Sequence, residues 1–145
     1  LLTAYPLILI GAAVVVFVGQ QVTGPEFEFQ ENQALTDMQQ TARMPGHVLA
    51  TMVVLSVVVV PIFEELFFRG IFQSTVTFLT GRPWLSILIT SVPFTILHPP
   101  MHIPALFVLS VCMGYAYEKS GSLLRPIGMH IVFNGINITF TLLGV

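Results

Sequence analysis

The chain has 145 residues, of which 54% are hydrophobic and only 8% are charged, and its mean hydropathy is +0.87. A soluble domain carries about 25% charged residues, so this composition excludes an ordinary soluble protein and indicates an integral membrane protein embedded in the lipid bilayer. Five Lys and Arg residues against seven Asp and Glu residues give no electrostatic support for a nucleic-acid partner.

The first predicted element is an apolar segment at residues 1–18, just long enough to span a membrane. It lacks a basic leading region and a small-residue cleavage site, so we do not interpret it as a signal peptide. Residues 20–46 form the one polar stretch, with several acidic residues against a single basic one, Arg43. A solvated loop is favoured there, with a surface helix at residues 26–43 as the alternative. The sequence begins with Leu1 rather than methionine, which is compatible with further spans upstream.

Residues 47–79 would make a helix about 50 Å long, which is more than one straight span requires. Pro61 removes an amide donor and clashes with the preceding turn, so we expect a kink or break just before Glu64. Glu65 and Arg69 follow within the same apolar sequence. The expected bend therefore lies next to the most polar point of the segment.

Three further helices are predicted beyond the turn Gly81-Arg82-Pro83, at residues 84–97, 103–117 and 126–143. Prolines 99 and 100 have to interrupt the chain between the first two of them. Gly121 is expected to stop the second. Cys112, the single cysteine, cannot form an intrachain disulfide and is predicted to be a packed core thiol.

These elements predict an all-α fold, a polytopic membrane helix bundle of about five spans with a polar intramembrane site. We divide it into an N-terminal membrane helix with its polar loop (1–46) and a core (47–145). Alternating spans place Arg82, Lys119 and Arg125 on one side of the membrane, and the positive-inside rule makes that side cytoplasmic. The polar loop would then be extracytoplasmic.

Glu64, Glu65 and Arg69 are ionisable groups in apolar sequence, where they are costly and commonly mark a functional site. Glu65 and Arg69 are four residues apart, so on a helix they share one face and can pair. Glu64 and Arg69 are five apart, about 140° around the helix axis, and do not face each other. The spacing therefore predicts a Glu65–Arg69 ion pair and leaves Glu64 free for proton transfer.

Three other polar residues interrupt apolar helices: His98, His130 and Asn134. His130 and Asn134 are four residues apart and should project from one helix face. Counted from the predicted turns, Glu64 and His98 both lie roughly 21 to 23 Å deep, whereas His130 and Asn134 lie at about 8 to 14 Å. The depths therefore favour a pairing of Glu64 with His98 over a site that contains the whole set.

The structural alternative is weighed for each histidine, because an isolated buried histidine is more often hydrogen-bonded than catalytic. His47, beside the Pro45-Gly46 turn, is interpreted in this way, as a residue that lines the interface. His102 follows His98 by four residues, but two prolines intervene, so it ranks below His98 as a site residue. For the six polar residues together, a purely structural network is the weaker hypothesis.

The three motifs, in this order and on membrane helices, resemble the pattern of the CPBP family, which comprises type II CAAX prenyl endopeptidases and bacteriocin-processing (Abi) membrane proteases. The link from Met113 into the third motif is similar as well, and the resemblance covers the chain from about His47 to Gly144. The residues that carry it are Glu64-Glu65-x-x-x-Arg69, Phe94-x-x-x-His98 and His130-x-x-x-Asn134.

The resemblance implies a glutamate-dependent intramembrane endopeptidase. In that family pattern, Glu64 with His98 activates a water for attack on the scissile carbonyl, and His130 and Asn134 stabilise the oxyanion. The residue chemistry agrees, since an amide is a suitable oxyanion donor where water is excluded. Serine catalysis is not indicated, because the nearest hydroxyls have no base at helical spacing. The resemblance also makes Glu65 and Arg69 supporting residues that brace the site.

Zinc is the alternative to hydrolysis without a cofactor. Glu64, His98 and His130 would be its ligands, since carboxylates and imidazoles suit zinc. However, the sequence contains no His-Glu-x-x-His motif, and asparagine is a poor zinc ligand. No cofactor is therefore expected.

A different class of function stays open: a non-enzymatic membrane immunity, scaffold or carrier protein with a polar network at the membrane midplane. For the enzyme, the expected partner is a membrane-embedded peptide or protein substrate, either a prenylated CAAX-type protein or a peptide precursor. The sequence does not decide between these substrates, nor does it indicate an oligomeric state.

Overall fold

The computed structural model of the chain describes residues 45–98 and 102–143, which form four helices. We number them α1 (Gly46–Thr80), α2 (Pro83–Ile96), α3 (Ile103–Ser120) and α4 (Leu124–Leu143). The predicted all-α class and the four predicted helices in this part of the chain are confirmed, with ends that differ by a few residues. The predicted span at residues 1–18 and nearly all of the predicted polar loop lie outside the described residues.

Helix α1 continues through Pro61, so of the predicted kink or break before Glu64 the break is wrong. Two segments of the helix, Leu55–Val59 and Leu66–Gln73, have the wider π-helical geometry. In the first of them, the Val60 N–H bonds to the Leu55 carbonyl, five residues back. The wide turn accommodates Pro61 in the helix. The hydrogen bonds there join residues five apart instead of four, directly before the position where Pro61 supplies no N–H.

Helices α1 and α3 are parallel to each other, and their ends lie at the same end of the bundle. Gly81 and Gly121 stop them, each with a left-handed backbone (φ of 65° and 61°) that glycine adopts without strain. The α1–α2 and α3–α4 turns therefore lie at one end, together with the three basic residues that the sequence analysis placed on one side. The assignment of that side to the cytoplasm stays a prediction.

The apolar core lies between α1, α2 and α3 and consists of Phe68, Phe94, Leu106, Leu109 and Met113. Many large apolar side chains are also exposed, above all along α1 and α2. Helices α1 and α4 are long and apolar enough to cross a membrane, and α2 is a shorter apolar helix. Cys112, predicted to be a packed core thiol, is only partly buried and is free.

The start of α4 is displaced toward the middle of α1. Leu123, just before α4, lies against Gly70, where an added Cβ would be 3.4 Å from the leucine Cδ1. Gly70 is ten residues before the end of α1, so α4 starts beside the body of α1 and not level with its last residue. From this contact, Glu64 lies six residues along α1 and His130 seven along α4, which places both about 10 Å away. The predicted difference in depth between them is therefore wrong, because it assumed that α4 starts level with the end of α1.

The packing of α3 on its neighbours depends on Gly114. A Cβ added there would lie 2.9 Å from Gln73 Oε1 and 3.1 Å from Ile87 Cγ2. We expect Gly114→Ala to lower the free energy of unfolding by about 1–3 kcal/mol, because this overpacked contact has to open. Thermal unfolding in detergent or nanodiscs measures it. Gly128→Ala is the matched control, since nothing lies within 4 Å of the added methyl, and equal stability of the two variants would contradict this account.

Candidate active site

The predicted Glu65–Arg69 ion pair is confirmed, and it is buried. Arg69 Nη1 donates to Glu65 Oε1 at 2.8 Å, and both side chains are almost completely shielded from solvent. Arg69 Nη2 donates to the Ser110 carbonyl at 3.1 Å and to Ser110 Oγ at 2.8 Å. Ser110 Oγ in turn donates to Ser91 Oγ at 3.0 Å. The guanidinium is thus hydrogen-bonded to two helices and stacks over the Phe94 ring, 4.7 Å from its centroid.

His130 joins both glutamates. Its Nδ1 lies 3.0 Å from Glu65 Oε1, and its Nε2 lies 3.6 Å from Glu64 Oε2. The imidazole is buried (2% exposed), whereas the Glu64 side chain keeps 27% of its surface exposed. The two carboxylates therefore contact different nitrogen atoms of one ring, and of the two only Glu64 is partly exposed among the described residues.

The structure gives Glu64 a direct partner other than the predicted His98. Within the described part of the chain, Glu64 pairs with His130, and His98 Nδ1 hydrogen-bonds the Phe94 carbonyl one helical turn back, at 2.7 Å. The rings of His98 and His130 lie 5.1 and 5.7 Å from the Phe94 ring, which packs near both. The second motif thus adjoins the site through Phe94 rather than through a contact of His98 with Glu64.

Of the two histidines ranked lower, His102 precedes α3, and its pKa is lowered by burial and, to a lesser extent, by the charge of His98. A lowered pKa favours the neutral imidazole. His47 is exposed near the start of α1, where its carbonyl accepts a hydrogen bond from the Thr51 hydroxyl. The place of His47 near one end of α1 agrees with its interpretation as a residue outside the site.

Asn134 faces α1, as does His130, which agrees with their predicted common face. Asn134 Nδ2 donates to the Ser56 carbonyl at 3.0 Å. Ser56 lies in the first wide turn, and five residues after it stands Pro61, which has no N–H to offer that carbonyl. The asparagine amide therefore completes the hydrogen bonding of a carbonyl that the proline leaves free.

Three polar residues that support the site were not predicted from the sequence: Ser91, Ser110 and Gln73. Gln73 is fully buried and donates to the Gly114 carbonyl at 3.0 Å and to Glu118 Oε2 at 3.4 Å. Its spacing from Glu65 and Arg69, four residues at each step, was a signal for it. The two serines carried no such signal, because their partner lies on another helix.

The alternative zinc set does not come together. Among residues 45–98 and 102–143, no three His, Cys, Asp or Glu side chains are placed to hold a metal ion. Glu64 lies 3.6 Å from His130 Nε2, whereas His98 Nδ1 is hydrogen-bonded to the Phe94 carbonyl. The donor arrangement thus does not fit the three zinc ligands that the sequence analysis named as the alternative.

Residues 46–136, more than half of the chain, match the family model described as type II CAAX prenyl endopeptidase Rce1-like. The chain belongs to this family. The resemblance drawn from the three motifs is thereby confirmed. The Rce1-like domain holds all six motif residues, and its family is membrane-embedded, consistent with the two long apolar helices.

A curated relative of this Rce1-like chain is an uncharacterized 24.3 kDa protein of Escherichia coli. The two are 27% identical over 140 residues, which cover 91% of this chain and 62% of the relative. The chain therefore spans less than two thirds of that protein's length. No solved structure matches the chain.

Proposed function

We propose that the chain is an intramembrane endopeptidase that cleaves a membrane-associated substrate with water activated by Glu64. The observation that supports this most is the contact between the part-exposed Glu64 carboxylate and the buried His130 imidazole, 3.6 Å apart. A carboxylate next to an imidazole can take a proton from water and pass it on, which is general-base chemistry. Membership of a prenyl endopeptidase family supports the same reaction class.

The proposed reaction uses four residues. Glu64 takes a proton from a water whose oxygen attacks the scissile carbonyl, and His130 is the partner that the structure gives to Glu64. His130 and Asn134 are proposed as donors to the oxyanion, a role that an imidazole N–H and an amide N–H can fill. His98, whose ring packs against Phe94 as that of His130 does, is proposed to assist. The proton then passes to the leaving amine, so water is the only reactant consumed besides the peptide.

The proposed substrate is a peptide bond near the membrane surface, in a prenylated C-terminal segment or in a peptide precursor. The family name favours the prenylated segment, and the chain's apolar surface suits a lipid-modified substrate. We also propose that the protein is multi-pass, with Arg82, Lys119 and Arg125 at the cytoplasmic side.

The test is cleavage of two fluorescent peptides of one sequence, with and without a prenyl group, by the purified chain in nanodiscs. We expect cleavage of the prenylated peptide at an unchanged rate after chelation, because no metal takes part in the proposed mechanism. A rate that collapses on chelation and returns with zinc would favour a metalloprotease. An absence of cleavage of either peptide, together with a retained effect of the chain in cells, would favour the immunity or scaffold function.

A further inference from the structure

We propose that Glu65 is a positioning residue that fixes the tautomer of His130, beyond its role as the partner of Arg69. This inference rests on the proposed function, since it gives His130 a defined part in the reaction. It starts from one oxygen atom. Glu65 Oε1 lies 2.8 Å from Arg69 Nη1 and 3.0 Å from His130 Nδ1, so it accepts two hydrogen bonds at once.

The chemistry of this oxygen decides where the imidazole proton lies. A carboxylate paired with a guanidinium is ionised and can only accept hydrogen bonds. The short contact to Glu65 therefore requires that His130 Nδ1 carries a hydrogen. In the neutral ring, the other nitrogen then has no hydrogen and presents its lone pair. That nitrogen, Nε2, is the one that faces Glu64.

The surroundings hold this arrangement in place. Glu65 is fully buried, and its second oxygen, Oε2, accepts no hydrogen bond from the described residues. No described donor therefore draws the carboxylate away from the bonds that Oε1 accepts. Ser110 fixes Arg69 from α3, and the edge of the imidazole packs against Phe94. Among residues 45–98 and 102–143, the charged or titratable groups around His130 are Glu64 and Glu65 from α1, Arg69 through Glu65, and His98, which packs on the same Phe94 ring.

The fixed tautomer gives His130 a switch in its hydrogen-bonding role. In the neutral ring before attack, Nε2 has no hydrogen and cannot donate to the substrate carbonyl. When water attacks, one O–H bond breaks, the new C–O bond forms, and the carbonyl π electrons move to its oxygen. The released proton passes through Glu64 to Nε2, which now donates to the oxyanion. The proton later leaves with the amine, and the ring returns to its starting form.

The test compares Glu65→Gln with Ser110→Ala in nanodiscs. The amide introduced by Glu65→Gln can donate as well as accept, so both His130 tautomers become possible. Ser110→Ala removes a hydrogen bond of Arg69 but leaves the contact between Glu65 Oε1 and His130 Nδ1 in place. We expect ¹⁵N spectra of histidine-labelled protein, recorded over a pH series until the signals no longer change on the alkaline side, to show one His130 tautomer in the wild type and Ser110→Ala, and a mixture in Glu65→Gln. The His130 signals are assigned by their loss in His130→Gln.

We expect Glu65→Gln to lower kcat by about 10- to 100-fold and to leave KM unchanged. This is the size of effect seen when a residue that orients a metal-bound histidine is removed in other enzymes. A wild-type His130 protonated at Nε2 instead of Nδ1 would overturn the inference, even if Glu65→Gln does not fold. So would a Glu65→Gln protein that keeps both the tautomer and kcat. If Glu64→Gln abolishes cleavage in that case, the proposed function stands and only the role of Glu65 fails.

Discussion

Glu64→Gln is expected to lower the rate of peptide cleavage by about 10²- to 10⁴-fold, the contribution of a general base. The amide keeps the size of the side chain but cannot take a proton from water. The protein should still fold, since Glu64 is 27% exposed and its contact with His130 is 3.6 Å long. Cleavage of a membrane-anchored peptide under single-turnover conditions measures the chemical step directly.

Glu118→Gln is the matched control for this variant. Glu118 lies in the last turn of α3, where its carboxylate accepts a hydrogen bond from Gln73 at 3.4 Å. The amide oxygen of a glutamine can accept the same bond. Its cleavage rate should stay within about twofold of the wild type, since the nearby hydrogen bond contributes only about 0.5–1.5 kcal/mol to stability. Wild-type activity of Glu64→Gln would remove Glu64 from the mechanism.

Arg69→Ala should have the largest effect on folding. It leaves the Glu65 carboxylate buried without its cation, and removal of one partner of a buried ion pair costs about 3–5 kcal/mol. It also removes the hydrogen bonds to Ser110 and the stacking on Phe94. We expect a lower yield of folded protein and a lower unfolding midpoint in denaturant titrations.

Two further variants identify the cause of that loss. Arg82→Ala removes a cation from the exposed α1–α2 turn and should change stability by less than about 0.5 kcal/mol. A double variant, Glu65→Leu with Arg69→Met, removes both charges and should regain part of the stability, because apolar pairs often replace buried ion pairs without loss. If Arg69→Ala is as stable as Arg82→Ala, the buried pair does not hold the bundle together.

The helices and the Glu65–Arg69 pair could be predicted because they depend on local sequence. Apolar runs between turn residues define the elements, and a spacing of four residues places two side chains on one helix face. Both predictions depend only on residues within one helix, so they did not require the positions of the other helices.

The partner of Glu64 could not be predicted in this way. His98 and His130 are both histidines in apolar helices, and the choice between them depends on how far α4 is displaced along α1. The contact of Leu123 with Gly70 sets that displacement. It joins residues more than fifty positions apart, and no periodicity in either helix reports it. Counting from the turns assumed level helix ends and therefore placed His130 too close to the turns.

The wide turn at Leu55–Val59 also sets the rotational phase of α1. Its hydrogen bonds span five residues instead of four, so the turn contains one residue more than an α-helical turn would. Deletion of one residue there would restore regular geometry and rotate the helix before it by about 100° relative to Glu64. Ser56 and Val57, which contact Asn134 and Gly135, would then turn away from α4. The extra residue thus allows one helix to present its carboxylates and its free carbonyl to the same neighbour.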